Sequence, residues 1–440
     1  MRTNVLLKEP APRTHEGAVA ARIGVESQLR RSVMACLLFE DTFYEDGVEI
    51  GVRIADLVPK CRPEFVAACA WEARTSMKLR HVPLLLLREM AKHSGHKALV
   101  GKLLRDVIQR PDEITEFLSL YQLGRQGSKT LNKLSAQVRK GLASAFRKFS
   151  EYQFAKYDRD EKIKLRDALF LCHAKPRDES QAALFKKIAD RTLATPDTWE
   201  VALSGGANKR ETFERLMAEK KLGALAFLRN LRNMKEAGIQ RTSVLAYAES
   251  VNVERVLPFR FISAANAVPD WEPILEPLMF RCLAAQEKFP GHTVLLIDGS
   301  GSMQNAVSAK SDISRRDAAI ALAILLRELC EDVRIYGFST DPWPIPPRRG
   351  FALREAVNAR VIPQSTMLGR AVRHAIAEGP ADRIIVITDE QSQDKPPAPP
   401  KYGYVINVAP YRNGIGYGPW THIDGWSEAV ISYIREAEST

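Results

Sequence analysis

The sequence predicts an α + α/β fold class, in which an α-helical domain is followed by a doubly wound α/β domain. Residues from about 16 to 288 show helical periodicity and few alternating strand patterns. After Pro290 and Gly291, short buried strands alternate with amphipathic helices. The length of 440 residues also exceeds that of one typical domain. We therefore predict a helical domain over residues 1–288 and an α/β domain over residues 289–440.

Short amphipathic helices account for most of the first part. The segment 111–123 places Pro111, Asp112 and Glu113 in its first turn, as a helix N-terminus favours. Comparable segments span residues 62–73, 81–93, 165–174, 195–204, 222–234 and 255–267. About fifteen helices with short connections favour a helical-repeat architecture. Because no clean repeat period occurs, an ordinary helical domain is the alternative.

Strands and helices alternate in the second part. Strands are predicted within residues 292–303, 332–340, 381–390 and 403–410, and helices over residues 314–331, 365–379 and 426–438. This order is typical of a mostly parallel sheet with helices on both faces. Ligands of such sheets bind at the carboxyl ends of the strands.

The positive charge of the chain is concentrated in the helical part. Lys and Arg outnumber Asp and Glu by 48 to 36 in residues 1–290, whereas the numbers are 16 and 17 in residues 291–440. This asymmetry favours a polyanionic partner for the helical part. A basic stretch interrupted by acids contains Lys209, Arg210, Arg215, Lys220 and Lys221.

One window within residues 117–150 contains seven basic and no acidic residues. Lys129, Lys133, Lys140 and Arg147 are spaced by four, seven and seven, which would align them on one helix face. Cations on one face without nearby acids repel each other, and bound phosphates would relieve this repulsion. We therefore interpret this face as a phosphate-binding surface. A solvated surface helix is the alternative interpretation.

The cellular setting is predicted from cysteines and from apolar runs. The six cysteines show no CxxC pair or regular spacing, which indicates neither a zinc site nor a disulfide framework. The N-terminus does not resemble a signal peptide, and no apolar run reaches the length of a membrane span. We expect a cytoplasmic protein without a membrane partner.

Oxygen-bearing side chains follow two of the predicted strands. Asp298, Ser300 and Ser302 form a DxSxS pattern after the first strand, Asp389 follows another strand, and Thr366 begins a helix between them. Carboxylates and hydroxyls are hard ligands that suit Mg²⁺ or Mn²⁺. The sequence therefore predicts a divalent metal site, with Mg²⁺ as the expected ion and Mn²⁺ as the second choice.

These residues resemble the metal-ion-dependent adhesion site (MIDAS) of von Willebrand factor A domains. The resemblance implies that the serines and the threonine contact the metal and that the aspartates often act through water. It also implies an open coordination position for a ligand oxygen. Two alternatives are a turn of a nucleotide-binding fold without metal, and an intact site that is usually empty. The segment 298–303 has neither a GxGxxG spacing nor a Walker lysine, which weakens the first alternative.

The two parts together resemble the TROVE/Ro ribonucleoprotein family and its bacterial members. The segments 195–204 and 222–234 are similar to family motifs around Thr-x-x-Trp-Glu and Leu-Arg-Asn-Leu. The segment 156–176 is similar to a further family block. In that block, the matching residues are Lys156, Tyr157, Asp167, His173, Lys175 and Pro176.

The family resemblance implies a ring of HEAT-type helical repeats that is closed by the α/β domain. It implies binding of Y-like RNA on the outer surface and of single-stranded 3′ ends of misfolded noncoding RNAs in the central hole. Lys156 and His173 match family positions implicated in RNA contact. The basic residue expected four positions after Lys156 is Asp160, with Arg159 beside it, and Phe170 replaces a family arginine.

We therefore predict a monomeric RNA-binding protein without enzymatic activity, which serves RNA stabilisation or quality control with a ribonuclease or another RNA-processing partner. A metal-dependent protein–protein adaptor with a helical scaffold is the alternative. A metal-dependent nuclease or phosphatase would need further carboxylates beside the ion, for which Glu390 and Asp341 are available. Without the family resemblance, His173 would be interpreted as a core histidine.

Overall fold

The structure, a computed structural model, describes most of the chain. The described residues are 13, 19, 22, 24–35, 47–75, 79–122, 134–158, 162–254, 256, 259–284, 287–307, 313–360, 362, 364–409, 418–424 and 429–439. Sixteen α-helices precede the first strand among these residues. This abundance of short helices agrees with the predicted periodicity.

The helices of the first part are short and begin at recognisable sequence signals. They are α1 (Val25–Ala35), α2 (Gly47–Leu57), α3 (Pro63–Thr75), α4 (His81–Met90), α5 (Lys97–Val107), α6 (Asp112–Gln122), α7 (Ala136–Phe146), α8 (Glu151–Tyr157), α9 (Leu165–Cys172), α10 (Glu179–Asp190), α11 (Trp199–Ser204), α12 (Lys209–Ala218), α13 (Ala224–Glu236), α14 (Arg241–Ser250), α15 (Phe259–Ala267) and α16 (Glu272–Leu283). Ser150, Asp178 and Thr198 accept a backbone hydrogen bond as N-caps of α8, α10 and α11. Such caps satisfy amides that the first turn leaves without a helical partner.

The second part alternates strands and helices. Its strands are β1 (Phe289–Asp298), β2 (Cys330–Phe338), β3 (Pro342–Ile345), β4 (Arg383–Thr388), β5 (Tyr402–Asn407) and β6 (Thr421–Asp424). Its helices are α17 (Arg315–Leu329), α18 (Gly350–Asn358), α19 (Leu368–Ala377) and α20 (Ala429–Ser439). The strands form one sheet in the order β3-β2-β1-β4-β5-β6, and only β3 is antiparallel to its neighbour among the paired strands.

Helices cover both faces of this sheet, which confirms the doubly wound α/β prediction. Leu295 and Ile297 of β1 point to a core that includes α17 and α20. Val294 and Leu296 of the same strand point to a second core with α19. Side chains alternate in this way because successive residues of a strand face opposite sides.

The helical part contacts the α/β domain at both of its ends. Helix α1 packs against β6, whereas α15 and α16 pack against α17 and α18. Contacts at both ends are the connectivity expected of a ring. Among the described helices, none combines the length and hydrophobicity that a membrane crossing requires.

The hydrophobic clusters divide the chain at a point other than the start of the sheet. The predicted boundary between residues 288 and 289 coincides with the first residue of β1. One cluster extends from Leu29 to Ile188 through the first ten helices. The next cluster extends from Phe213 to Ile434 and joins α12–α16 to one face of the sheet. The last helices of the helical part therefore share their core with the α/β domain.

Candidate metal site and nucleic-acid interface

The predicted metal-site residues lie at the point where the strand order of the sheet reverses. Strands β1 and β4 are neighbours in the centre of the sheet, and the chain leaves them towards opposite edges. Asp298 is the last residue of β1, and Asp389 directly follows β4. Crevices at such switch points are where open α/β sheets bind ligands.

The first predicted motif forms a tight turn at the end of β1. Oδ1 of Asp298 accepts a hydrogen bond of 2.8 Å from the backbone amide of Ser300. Its Oδ2 accepts a hydrogen bond of 2.6 Å from the hydroxyl of Thr388, the last residue of β4. Asp298 is therefore held by both strands and is completely buried.

Thr366 is joined to the same site by backbone hydrogen bonds. Its carbonyl accepts bonds of 2.9 Å from the amide of Gln393 and of 3.1 Å from the hydroxyl of Ser392. The next amide, of Met367, donates to the carbonyl of Ser339 at 2.8 Å. These bonds tie Thr366 to the loop after Asp389 and to the end of β2. Thr366 lies two residues before α19 rather than within its first turn.

The arrangement fits a small divalent cation. The hydroxyl oxygens of Ser300 and Ser302 lie 3.2 Å apart. Neighbouring ligands of an octahedral Mg²⁺ ion lie about 3 Å apart, given Mg–O distances of about 2.1 Å. Within the described residues, no group of three or more His, Cys, Asp or Glu side chains could hold a metal. Ser300, Ser302 and Thr366 would instead supply hydroxyl oxygens.

Charged side chains lie around Asp298 and Asp389 at the predicted metal site. Burial and the nearby carboxylate of Asp389 raise the pKa of Asp298. Nη1 of Arg315 lies 3.3 Å from Oδ2 of Asp389, and both residues are buried. Arg315 therefore lies beside Asp389, and the charge of Arg316 interacts with that of Asp298.

Arg315 is a site residue that sequence reasoning does not identify. It occupies the first position of α17, and its Nη1 also donates to the carbonyl of Ser302 at 3.4 Å. A cation in the first turn of a helix is unfavourable for the helix dipole. An arginine at this unfavourable position, next to the capping box of Ser314 and Asp317, is the one feature of the sequence that could have indicated a special role for Arg315.

Ser339 is a second residue that the sequence pattern does not reveal. It directly follows β2, beside the turn that contains Gly299, whose amide donates to the carbonyl of Phe338 at 2.7 Å. The hydroxyl of Ser339 is buried and has no hydrogen-bond partner among the described residues. A buried hydroxyl without a partner costs free energy, so Ser339 is a further candidate donor at this edge of the sheet.

Glu390 links the metal site to helix α1. Oε2 of Glu390 lies 2.5 Å from Nη2 of Arg31 and 3.1 Å from Nδ2 of Asn407. Oε1 lies 2.8 Å from Nδ1 of His422. Burial alone would raise the pKa of Glu390, but the charges of Arg31 and His422 lower it to about 2. Glu390 adopts a left-handed conformation with φ of 61°, which concentrates backbone strain beside Asp389.

The predicted basic face does not extend along a single helix. Helix α7 begins at Ala136, because Ser135 has extended backbone angles and its hydroxyl accepts a bond from the amide of Val138. Lys140 therefore lies on α7, and Arg147 is its C-cap. Lys129 and Lys133 lie outside the described residues, as does Arg159. The expectation that Lys129, Lys133, Lys140 and Arg147 align along one helix is therefore wrong, because α7 begins only at Ala136.

The other predicted RNA-contact residues are exposed. Lys140, Lys156 and His173 all face solvent. His173 ends α9 in a left-handed conformation with φ of 52°. Its exposure excludes a core histidine. The guanidinium of Arg147 instead donates to the carbonyl of Lys175 at 3.0 Å, so it fixes the segment after His173.

Exposed cations near these residues have no acidic partner among the described residues. They are Arg139, Lys140, Lys156, Arg166 and Lys175. The second basic stretch differs, because Arg215 and Lys221 both bind Asp197, and Arg210 binds Glu214. Its positive charge is therefore largely neutralised by the protein.

Comparisons with known proteins agree with this architecture. The TROVE domain family matches residues 189–288. The crystal structure of the Deinococcus radiodurans RO (RSR) protein superimposes with a TM-score of 0.61, covering 93% of this chain and 98% of that one at 17% sequence identity. This likeness confirms the α + α/β fold, with its helical segment followed by a doubly wound sheet.

Two curated relatives are much longer than this chain. Telomerase protein component 1 of Mus musculus is 23% identical over 432 residues, which cover 76% of this chain and 16% of that protein. The protein of the same name from Rattus norvegicus is 32% identical over 127 residues, which cover 28% of this chain and 4% of that protein. The chain therefore spans only a small part of the length of these relatives. Residues 189–288 thus match the TROVE domain family, and the chain shares the fold of the RO (RSR) protein.

Proposed function

We propose that the protein binds RNA through its helical part. The proposed ligands are Y-like RNA and the single-stranded 3′ ends of misfolded noncoding RNAs. The observation that carries the proposal is the group of exposed cations on α7, α8 and α9 and in the segment after α9, which have no acidic partner among the described residues. Such cations can neutralise phosphates and release condensed counterions. The match of residues 189–288 to the TROVE domain family supports the same proposal.

The proposed role is stabilisation or quality control of noncoding RNA by a monomer in the cytoplasm, together with a ribonuclease or another RNA-processing protein. We assign the protein no catalytic step. Of the two further acids near the metal site, Glu390 is bound by Arg31 and His422, and Asp341 is paired with Arg370 at 2.6 Å. These ion pairs support a binding role over metal-dependent hydrolysis, which needs additional available carboxylates.

We also propose that the α/β domain binds Mg²⁺, or Mn²⁺ in its place. Ser300, Ser302 and Thr366 would contact the ion directly, and Asp298 and Asp389 would act through water. The spacing of the two serine hydroxyls and the burial of Asp298 and Asp389 at the same edge of the sheet support this proposal. When bound, the ion would supply a position for a carboxylate or phosphate oxygen of a partner.

The test is RNA binding by the purified protein across a salt series. The RNA is a hairpin with a single-stranded 3′ tail. A variant in which Lys140, Lys156 and Lys175 are changed to Gln is compared with a variant in which Arg210, Arg215 and Lys221 are changed to Gln. Both variants remove three positive charges, but only the first removes cations that lack an acidic partner in the described part of the chain.

We expect steep salt dependence for the wild-type protein. The slope of log K against log salt should become shallower by about 0.7 to 0.9 for each phosphate that the first variant no longer neutralises, and by less in the second variant. Equal decreases in both variants would show a non-specific charge effect. Weak binding by the wild-type protein would overturn the proposal and would favour the metal-dependent adaptor.

A further inference from the structure

Helix α9 exposes an aromatic ring that its packing does not require. Its inner face buries Leu165, Ala168, Leu169 and Cys172. Phe170 points outward, with 56% of its surface exposed. Single exposed apolar side chains are common on proteins, so the meaning of this ring depends on the residues around it.

Two further residues align with Phe170 on the outer face of α9. Arg166 and His173 are four residues before and three residues after Phe170, and such spacings place side chains on one helix face. The guanidinium carbon of Arg166 lies 5.9 Å from the centre of the Phe170 ring. His173 is exposed and holds the left-handed conformation that glycine usually adopts at a helix end. We call these three residues the α9 stripe.

The surroundings of the α9 stripe are positively charged. Arg166 has no acidic partner among the described residues. Lys175 follows the stripe, and its carbonyl is held by Arg147. Two acids of the described segment cap helices: Asp167 accepts a bond from the amide of Lys164, and Asp178 caps α10. No carboxylate therefore neutralises the stripe in the described structure.

We propose that the α9 stripe is a stacking site for an unpaired base of RNA, with Phe170 as the platform. This inference rests on the proposed RNA-binding function and deepens it. A base needs a flat apolar surface, and the phosphates that flank it need cations, which Arg166 and Lys175 supply. Recognition of single-stranded RNA commonly combines aromatic stacking with positive charge. The positive charge disfavours an apolar protein partner, which would leave these cations unpaired.

The test measures binding of the full-length protein to two fluorescently labelled hairpin RNAs. One hairpin has a uridine tail at its 3′ end with a single 2-aminopurine, and the other has no tail. The variants are Phe170→Ala, Phe170→Leu and Phe170→Trp. Tyr152→Ala is the matched control, because Tyr152 is a similarly exposed aromatic residue (49%) outside the stripe.

Phe170→Ala should weaken binding of the tailed RNA by about 5- to 140-fold, as stacking of one base contributes about 1 to 3 kcal/mol. Binding of the hairpin without a tail should not change. The salt dependence should also stay the same, because a phenyl ring displaces no counterions. Phe170→Leu should weaken binding to the same degree, and Phe170→Trp should retain binding and the quenching of 2-aminopurine.

The outcomes separate this inference from the proposed function. If the wild-type protein binds neither hairpin, the proposed function fails, and the inference fails with it. If the wild-type protein binds the tailed RNA but Phe170→Ala binds it equally well, RNA binding stands and the stacking site is overturned. Equally weakened binding by Tyr152→Ala would also overturn the assignment to this stripe. Unchanged thermal unfolding of Phe170→Ala is expected, because the exposed ring contributes little to the core.

Discussion

Single residues at the proposed metal site come from three separate chain segments. Asp298 and the serines follow β1, Asp389 follows β4, and Thr366 precedes α19. Backbone hydrogen bonds from Met367 and Gln393 bring these segments together. The positions of these side chains are therefore set by main-chain hydrogen bonds at the edge of the sheet. Removal of one side-chain hydroxyl should leave that main-chain geometry unchanged.

Thr366→Ala should abolish most of the thermal stabilisation by Mg²⁺. A ligand at 100 times its dissociation constant stabilises the folded state by about 2.7 kcal/mol. The measurement is the midpoint of thermal unfolding over a Mg²⁺ series, with EDTA as the reference. Ser365→Ala is the control, because Ser365 is the exposed neighbour whose hydroxyl bonds Gln393. An equal Mg²⁺ response of the two variants would contradict the proposed role of Thr366.

Glu116 makes stability depend on pH. Burial raises its pKa to about 7, although Arg80 lies beside it, because Asp112 and Glu113 are also near and share that cation. Arg110 and His81 face the same group. A carboxyl whose pKa is higher in the folded state favours folding below the unfolded pKa of about 4.5, and this contribution is lost as the pH rises to 7.

We therefore expect the Glu116→Gln variant to lose less stability than the wild-type protein between pH 4.5 and 7. The measurement is the free energy of unfolding in urea at several pH values. Glu64→Gln, at an exposed position of α3, is the control. Parallel pH profiles for the wild-type protein and Glu116→Gln would show that this pKa is not raised.

Site residues can be predicted from the sequence where their spacing along the chain is enough to place them together. The DxSxS spacing predicts that Asp298, Ser300 and Ser302 share one turn, and the structure agrees. Arg315 and Ser339 cannot be found in this way, because their roles arise from contacts between distant segments. Their burial is a tertiary property that no local pattern contains.

At the level of elements, the edge of the sheet shows how close packing shapes the site. Strand β3 pairs with β2 and places Trp343 against Gly337 and Gly299. A methyl group on Gly337 would overlap the indole ring. Gly299 belongs to the turn that begins at Asp298, so the position of β3 also bears on the metal site.

Gly337→Ala should therefore destabilise the protein by about 1 to 3 kcal/mol, as overpacking in a well-packed region does. The same variant should weaken the stabilisation by Mg²⁺, because the indole ring also contacts the turn at Gly299. Urea unfolding with and without Mg²⁺ measures both effects. Gly95→Ala is the control, because a methyl group there meets no atom within 4 Å. Similar stabilities of the two variants would rule out this packing argument.

Strong periodicity makes most elements of the α/β domain predictable. Strands β1, β2, β4 and β5 and helices α17, α19 and α20 all overlap predicted segments, although β1 begins three residues earlier than predicted and β2 begins two residues earlier. Strand β3 is not predicted because its sequence contains two prolines, which lack the amide that a central strand needs; it is an edge strand. The prediction for α7 is wrong because a run of cations says little about where a helix begins, whereas the hydroxyl of Ser135 is a strong N-cap.

At the scale of the whole molecule, a buried ion pair joins the first helix to the sheet. Arg31 of α1 and Glu390 beyond β4 form a buried ion pair across 359 residues of sequence. A buried carboxylate without its cation is strongly destabilising. The family resemblance predicts a ring but gives no information on this pair, since the two residues belong to no shared motif.

Arg31→Ala should lower the free energy of unfolding by about 3 to 5 kcal/mol, the usual effect of breaking a buried pair. Arg30→Ala should lower it by less than about 1 kcal/mol, because Arg30 pairs with Glu72 at a partly exposed position. Denaturant unfolding of both variants, at one pH and salt concentration, provides the comparison. Equal effects of the two substitutions would show that the pair between α1 and the sheet does not close the ring.

The separation of Arg31 and Glu390 also has a consequence for the order of events during synthesis. Ribosomes add about 5 to 20 residues per second, so the 359 residues between the two partners require roughly 20 to 70 seconds. Throughout this interval, α1 is already made while its binding surface on the sheet does not yet exist. The contact between α1 and the sheet can therefore form only after the chain has been extended as far as Glu390.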